Sequence, residues 1–288
     1  MSALTVITTV AELRRLLDER RQRGETIGLV PTMGALHDGH LSLVRAAHAE
    51  CACVVVSVYV NPTQFAPHED FQRYPRNLDY DLQLLKSVGE VLVFAPTDAE
   101  MYPAGFQTTV DVSKLSLGWE GELRPTHFRG VATVVLKLFT AVDADYAYFG
   151  QKDYQQLRVV EQLTRDLNLR TTVRACPTAR EPDGLAMSSR NRYLTSEERT
   201  RGLALSRSLE IVREMTARGE TNCAELEAAL RDVLSTAGLQ PDYAVVVERE
   251  TLQPLAQLTR SAVALVAAKV GKTRLIDNML LEPKPRDI

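Results

Sequence analysis

From Thr9 to about residue 176 the chain alternates short β-branched runs with longer stretches in which apolar residues return every three or four positions. Continuous apolar or alternating runs predict strands, and a 3.6-residue period predicts helices. The first helix is expected to start at Thr9, with Glu12 completing a capping box, and to carry Leu13, Leu16 and Leu17 on one face as far as Gly24. Residues 26–30 then read as a strand and 41–50 as a helix. Residues 53–60 are apolar almost throughout, as a strand covered on both faces must be. A helix over 79–88, a strand over 91–94, a helix over 131–142, a strand over 146–149, a helix over 154–167 and a strand over 172–175 follow. This succession predicts an α/β, doubly wound, Rossmann-like parallel sheet.

Past Pro182-Asp183-Gly184 the texture changes. Two consecutive helices are expected, over 195–218 with Thr195 and Glu198 as a capping box, and over 222–237 ending at Gly238. Strands are expected over 242–248, 262–270 and 273–281, the last two joined by a Gly271-Lys272 hairpin turn. The expected division is a Rossmann-like domain over 1–178 and a smaller C-terminal α+β domain with an antiparallel sheet over 179–288. The residues from Pro283 onward read as a loose tail.

Composition narrows the functional classes. The 288 residues are 45% hydrophobic and carry 34 Lys and Arg against 37 Asp and Glu, a formal charge of −3. Such a balance argues against a nucleic-acid-binding protein, because gripping a polyanion draws on surplus basic charge. The four cysteines (Cys51, Cys53, Cys176, Cys223) are too few for a disulfide scaffold, and C-x-C is not a redox or zinc spacing. Residues 1–10 lack a signal pattern and no run approaches a membrane span, so a cytoplasmic protein is expected.

The stretch Pro31-Thr32-Met33-Gly34-Ala35-Leu36-His37-Asp38-Gly39-His40 follows the first apolar strand. In α/β folds ligands bind at the carboxyl ends of strands. Gly34 and Gly39 let a phosphate approach backbone amides, a helix starting near His40 turns its positive end to the same spot, and two imidazoles can donate to phosphoryl oxygens. H-x-G-H in this position resembles the nucleotidyl-transferring superfamily of class I aminoacyl-tRNA synthetases and small adenylyltransferases. Gly184-Leu185-Ala186-Met187-Ser188-Ser189-Arg190-Asn191 occupies the place of that superfamily's mobile K-M-S-K-S-like loop.

Together with Val60-Asn61-Pro62-Thr63-Gln64-Phe65, Arg124-Pro125-Thr126-His127-Phe128 and Gly150-Gln151-Lys152-Asp153-Tyr154-Gln155-Gln156, these segments resemble the pantothenate synthetase family over about residues 5–281. The resemblance implies an AMP-forming ligase that joins pantoate to β-alanine at the expense of ATP, acts through a pantoyl adenylate, uses Mg²⁺ and forms a homodimer. It implies catalytic roles for His37, His40, Lys152, Ser188, Ser189 and Arg190 at the ATP phosphates. It further implies an ATP site lined by Met33, Gly34, Ala35, Leu36, Asp38 and Gly39, by Gly150, Gln151 and Asp153, and by Ala179 and Met187. Asp153 is read as a ribose contact, as a partner for Lys152 or as a helix N-cap. Pantoate falls to Gln64 and Gln156, with Asn61, Met33 and Tyr74 beside it. Arg124 and His127 are placed near the second substrate or the pantoyl carboxylate side. Asp81 is expected to help place Mg²⁺ through water, although Tyr80 stands where many relatives carry an acid. Other H-x-G-H enzymes and a nucleotide-sensing module that has lost the chemistry are the rival readings.

Overall fold

In the computed structural model, residues 4–67 and 69–283 are described, and they hold two sheets of different kinds. Strands β1 (Leu4–Ile7), β2 (Ile27–Thr32), β3 (Cys53–Val58), β4 (Val91–Phe94), β5 (Tyr146–Gly150) and β6 (Thr172–Cys176) form an all-parallel sheet in the order β1-β4-β3-β2-β5-β6. Strands β7 (Pro241–Glu248), β8 (Ala262–Val270) and β9 (Thr273–Leu281) form an antiparallel meander, with Val270 paired to Thr273 across a two-residue turn. The expected α/β parallel sheet and separate antiparallel sheet are both present. The chain divides into one compact unit of residues 1–151 with 155–177, and a second of 152–154 with 178–288. The tail beyond residue 283 lies outside the described residues.

Each unit is built around its own apolar interior. In the first, Val30, Val54 and Val56 turn one sheet face to the helix Asp38–Glu50, which buries Leu41, Val44 and Ala47 against it. In the second, the long helix Ser196–Ala217 and the helix Cys223–Thr236 pack Leu205, Leu209, Val212, Leu226 and Leu230 onto Val246, Ala264 and Val266. The long helix opens on the predicted capping box, with Thr195 accepting from the Glu198 amide and the Glu198 carboxylate accepting from Thr195 N.

Three of the departures from the sequence reading have a plain physical reason. Strand β1 is not foreseen, because four residues are too short for a period and its Val6 faces outward on an edge, 40% exposed. The helix expected from residue 41 starts at Asp38, with His37 rather than a Ser, Thr, Asp or Asn as its N-cap. The helix expected from 131 starts at His127, its first turn hidden by Gly130. That glycine has a packing reason: a Cβ on Gly130 would lie 2.4 Å from the Thr63 carbonyl oxygen, so only Gly lets this helix approach the turn after β3 so closely.

In the parallel sheet the strand order reverses between β2 and β5. A crevice outside the carboxyl ends of these two strands is where open α/β sheets bind ligands. The loop 33–37 leaves β2 there, and Gln151–Asp153 leaves β5.

Candidate active site

The loop after β2 is held from within. Thr32 Oγ1 donates to the Ser57 carbonyl at 2.7 Å and accepts from Gly34 N at 3.1 Å, tying the loop's start to the end of β3. Gly34 and Ala35 both take left-handed backbone angles, φ +75° and +51°. The turn they make directs the amides of Ala35 and Leu36 toward a single anion. The anion is the chain's own: Asp81 Oδ2 accepts from Ala35 N at 3.1 Å and Oδ1 from Leu36 N at 2.8 Å, with Asp81 only 2% exposed. A Cβ on Gly34 would come within 2.9 Å of Asp81 Oδ2 and 3.1 Å of Val58, so glycine is required for the carboxylate to seat.

This geometry bears on two expectations. Sequence reading places Gly34, Ala35 and Leu36 along the ATP site, and in the structure their amides serve Thr32 and Asp81. It gives Asp81 to Mg²⁺ through water, and in the structure both carboxylate oxygens accept loop amides. Among the described residues no group of three or more His, Cys, Asp or Glu is arranged to hold a metal ion. The described residues thus offer no three-ligand cage for Mg²⁺, an ion that keeps several waters and is commonly held by substrate phosphates.

The loop delivers its two imidazoles as a pair. His37 caps the helix Asp38–Glu50, and its Nδ1 accepts from Gly39 N at 3.2 Å. An accepting Nδ1 leaves the ring proton on Nε2, so the cap selects the tautomer. His40 sits three residues on in the first turn, which brings the ring centroids to 4.1 Å at a tilt of 36°. Asp38 is exposed beside them at the helix start.

A second cluster forms where β3 ends. Asn61, 1% exposed, donates through Nδ2 to Gln64 Oε1 at 3.1 Å and to the Gly130 carbonyl at 3.2 Å. Gln64 Nε2 lies 3.1 Å from Met33 Sδ, so Met33, Asn61 and Gln64 are brought together as expected. The main chain of Gln64 is held as well. Its carbonyl accepts from His127 Nδ1 at 2.9 Å and from Arg124 Nη2 at 3.4 Å. Arg124 also forks onto Glu69, at 2.6 and 2.8 Å. Burial alone would raise the Glu69 pKa, but the Arg124 hydrogen bonds more than offset it and hold the carboxyl below its ordinary value. Arg124 and His127 thus both hold the Gln64 main chain.

His127 has its pKa pushed down to about 4, first by burial and then by the Arg124 charge. Its neutral ring donates from Nδ1 to Gln64 O, leaving Nε2 to accept from Arg124 Nη1 at 3.2 Å. A depressed histidine contributes stability that is complete above the unfolded pKa near 6.5 and is lost as pH falls toward the folded value. His127→Asn, which keeps a donor and cannot titrate, should flatten the fall in denaturation midpoint between pH 6.5 and about 4. An unchanged slope would show that His127 does not govern this window.

The remaining first-unit candidates are placed less tightly. Tyr74 is buried with its ring edge-on to Phe65 at 5.8 Å, a packing role. Gln156 is half-buried in the first turn of the helix Tyr154–Asp166. Its neighbour Gln155 anchors residues 115–120 through both ends of its amide. Gly150 ends β5, and Gln151 opens the one-turn Gln151–Asp153 helix.

In the second unit, Lys152 Nζ lies 3.4 Å from Asp153 Oδ1, as the lysine-partner reading of Asp153 expects. The Lys152 carbonyl accepts from Asn278 Nδ2 at 2.9 Å. The loop around the serines is an ordered hairpin: Met187 N donates to Ala179 O at 2.9 Å and Arg180 bridges Ala186. Ser188 caps the short helix Ser189–Tyr193 by accepting from Arg190 N at 3.3 Å. Arg180 forks onto the buried Asp277 at 2.7 and 3.0 Å, and Asn191 Nδ2 reaches Ala186 O at 3.0 Å. Sequence reasoning misses the Arg180–Asp277 pair, since a bond spanning 97 positions leaves no local signal.

Comparison with known proteins fits this arrangement. The pantoate-beta-alanine ligase family model matches residues 5–280. The chain belongs to the pantoate-beta-alanine ligase family. A "Pantothenate synthetase" of Thermotoga neapolitana is 50% identical over 279 residues, covering 96% of this chain and all of that one. The crystal structure of pantothenate synthetase from Thermus thermophilus superposes with a TM-score of 0.92 at 47% identity, over 97% of this chain and 100% of that one. A Francisella tularensis pantoate-beta-alanine ligase, described as complexed with beta-gamma ATP and beta-alanine, follows at a TM-score of 0.77 and 35% identity, over 96% and 98%. As a member of this ligase family, the chain is an enzyme of pantothenate formation. Among the described residues no helix is long and apolar enough to cross a membrane.

Proposed function

We propose that the protein condenses pantoate with β-alanine in two half-reactions. In the first, a pantoate carboxylate oxygen attacks the α-phosphorus of ATP, the bond to the β-phosphate bridging oxygen breaks, and pyrophosphate leaves. In the second, the β-alanine amine attacks the acyl carbon of the pantoyl adenylate and AMP departs. The pairing of His37 and His40 at the end of β2 carries this reading, because its cap-selected Nε2–H is a donor for a phosphoryl oxygen whose charge grows during attack.

In the same reading Lys152, Ser188, Ser189 and Arg190 supply charge and donors to the polyphosphate. Ala179, Met187, Gly150, Gln151 and Asp153 line the nucleotide. Gln64 and Gln156, neutral amides, orient pantoate without clamping the attacking carboxylate in its ground state. Mg²⁺ belongs to the ATP substrate and not to Asp81. A homodimer in the cytoplasm completes the proposal, and the four free cysteines support a reducing setting.

Exchange of labelled pyrophosphate into ATP tests the first half-reaction. Exchange that needs pantoate and proceeds without β-alanine is expected. Exchange driven by an α-amino acid, or none with pantoate, would refute it.

A further inference from the structure

We infer that Tyr102, with Thr63, braces the Asn61–Gln64 amide pair in the one polarity its main-chain partners allow, so that Gln64 offers its NH₂ group, a donor only, to an acceptor oxygen of pantoate. This inference rests on the reading of Gln64 as a pantoate contact.

Asn61 Oδ1 takes three donors: Tyr102 Oη at 2.8 Å, Thr63 Oγ1 at 3.0 Å and Thr63 N at 3.4 Å. On its other side the Gly130 carbonyl, which can only accept, faces Nδ2 at 3.2 Å. A main-chain N–H cannot accept and a main-chain carbonyl cannot donate, so these one-way partners forbid the flipped amide. The polarity then passes on. Asn61 Nδ2 donates to Gln64 Oε1, which fixes the Gln64 amide in turn and leaves its nitrogen outermost. The partner of that nitrogen is the Met33 thioether, a weak acceptor that an oxygen of a substrate can displace at little cost. Thr63 N and the Gly130 carbonyl set this order, and Tyr102 gives the shortest of the bonds that hold Asn61 Oδ1 in it; burial raises the pKa of its phenol, so it remains an O–H donor. Its ring is held separately, edge-on to Phe106 at 5.1 Å and 6.5 Å from Tyr59. Tyr102 is thus a positioning residue two amides removed from the substrate.

Tyr102→Phe keeps those ring contacts and removes one donor. The exchange assay should give a Michaelis constant for pantoate about five- to tenfold higher, the loss of roughly one hydrogen bond, with that for ATP within about twofold. Thr63→Val, which removes the other hydroxyl, should act in the same direction and provides the arm that survives if Tyr102→Phe fails to fold. Calorimetric titration with pantoate of Gln64→Ala and of the Gln64→Ala/Tyr102→Phe double variant supplies the readout that a purely structural role would not move. If Tyr102 works through Gln64, its effect should vanish in the Gln64→Ala background. Equal weakening in both backgrounds, or equal rises for ATP and pantoate, would overturn the inference. A Gln64→Ala variant that binds pantoate normally would instead overturn the reading of Gln64 on which it rests.

Discussion

His37→Ala should slow pyrophosphate exchange by about 10²- to 10³-fold while weakening ATP binding less than about tenfold, the pattern of a donor whose bond strengthens as charge builds on the α-phosphoryl group. The same side chain caps the helix Asp38–Glu50 by accepting from Gly39 N. Its removal therefore also costs stability, about 1 kcal/mol for a lost N-cap. Two effects in one residue call for two variants. His37→Asn restores an oxygen acceptor to the cap and lacks the Nε2–H, so it should recover the melting temperature and leave exchange depressed. If His37→Asn recovers both, the imidazole serves only as a cap and His37 leaves the reaction; near-normal exchange in His37→Ala would have the same consequence.

That double role marks where sequence reading stops. The strands over 53–60 and 91–94 and the capping box at Thr195 are local patterns, and all three are present within a residue or two of expectation. The pairing of His37 with His40 is equally local, since three positions across a helix start put both rings on one side. What supports them is distant in sequence. Asp81 lies 46 positions from Ala35, Glu69 lies 55 from Arg124, and Asn61 lies 41 from Tyr102. A carboxylate in an amphipathic helix reads as solvated, a tyrosine after a short helix reads as packing, and nothing nearby in the chain marks either as a partner. Resemblance to a family located the Asn61 and Gln64 positions but not the bonds that orient them. It also assigned Arg124 to a substrate, because a guanidinium in a loop gives no sign of the Glu69 fork that engages it.

Asp81→Asn offers the sharpest separation of a loop-bracing role from a metal role. The two side chains have nearly the same shape, but asparagine has one accepting oxygen where two amides, Ala35 N and Leu36 N, require acceptors. One N–H would face an NH₂ group in a site 2% exposed, and an unsatisfied buried donor costs about 1–3 kcal/mol. The left-handed conformation at Ala35, strained for a residue with a side chain, depends on this carboxylate and should relax when it is lost. His37 follows two residues later, so its ring should move with the loop. Displacing a reacting group by about 1 Å can cost about 10²-fold in rate, and a fall in kcat of that order is expected, larger than any change in the Michaelis constant for ATP. The Mg²⁺ concentration for half-maximal rate should stay within about twofold, and excess Mg²⁺ should not rescue the variant. Gly34→Ala, whose new Cβ would meet Asp81 Oδ2 at 2.9 Å, should reproduce the defect from the other side of the same contact. Rescue of Asp81→Asn by high Mg²⁺ would return the carboxylate to the metal and remove the brace.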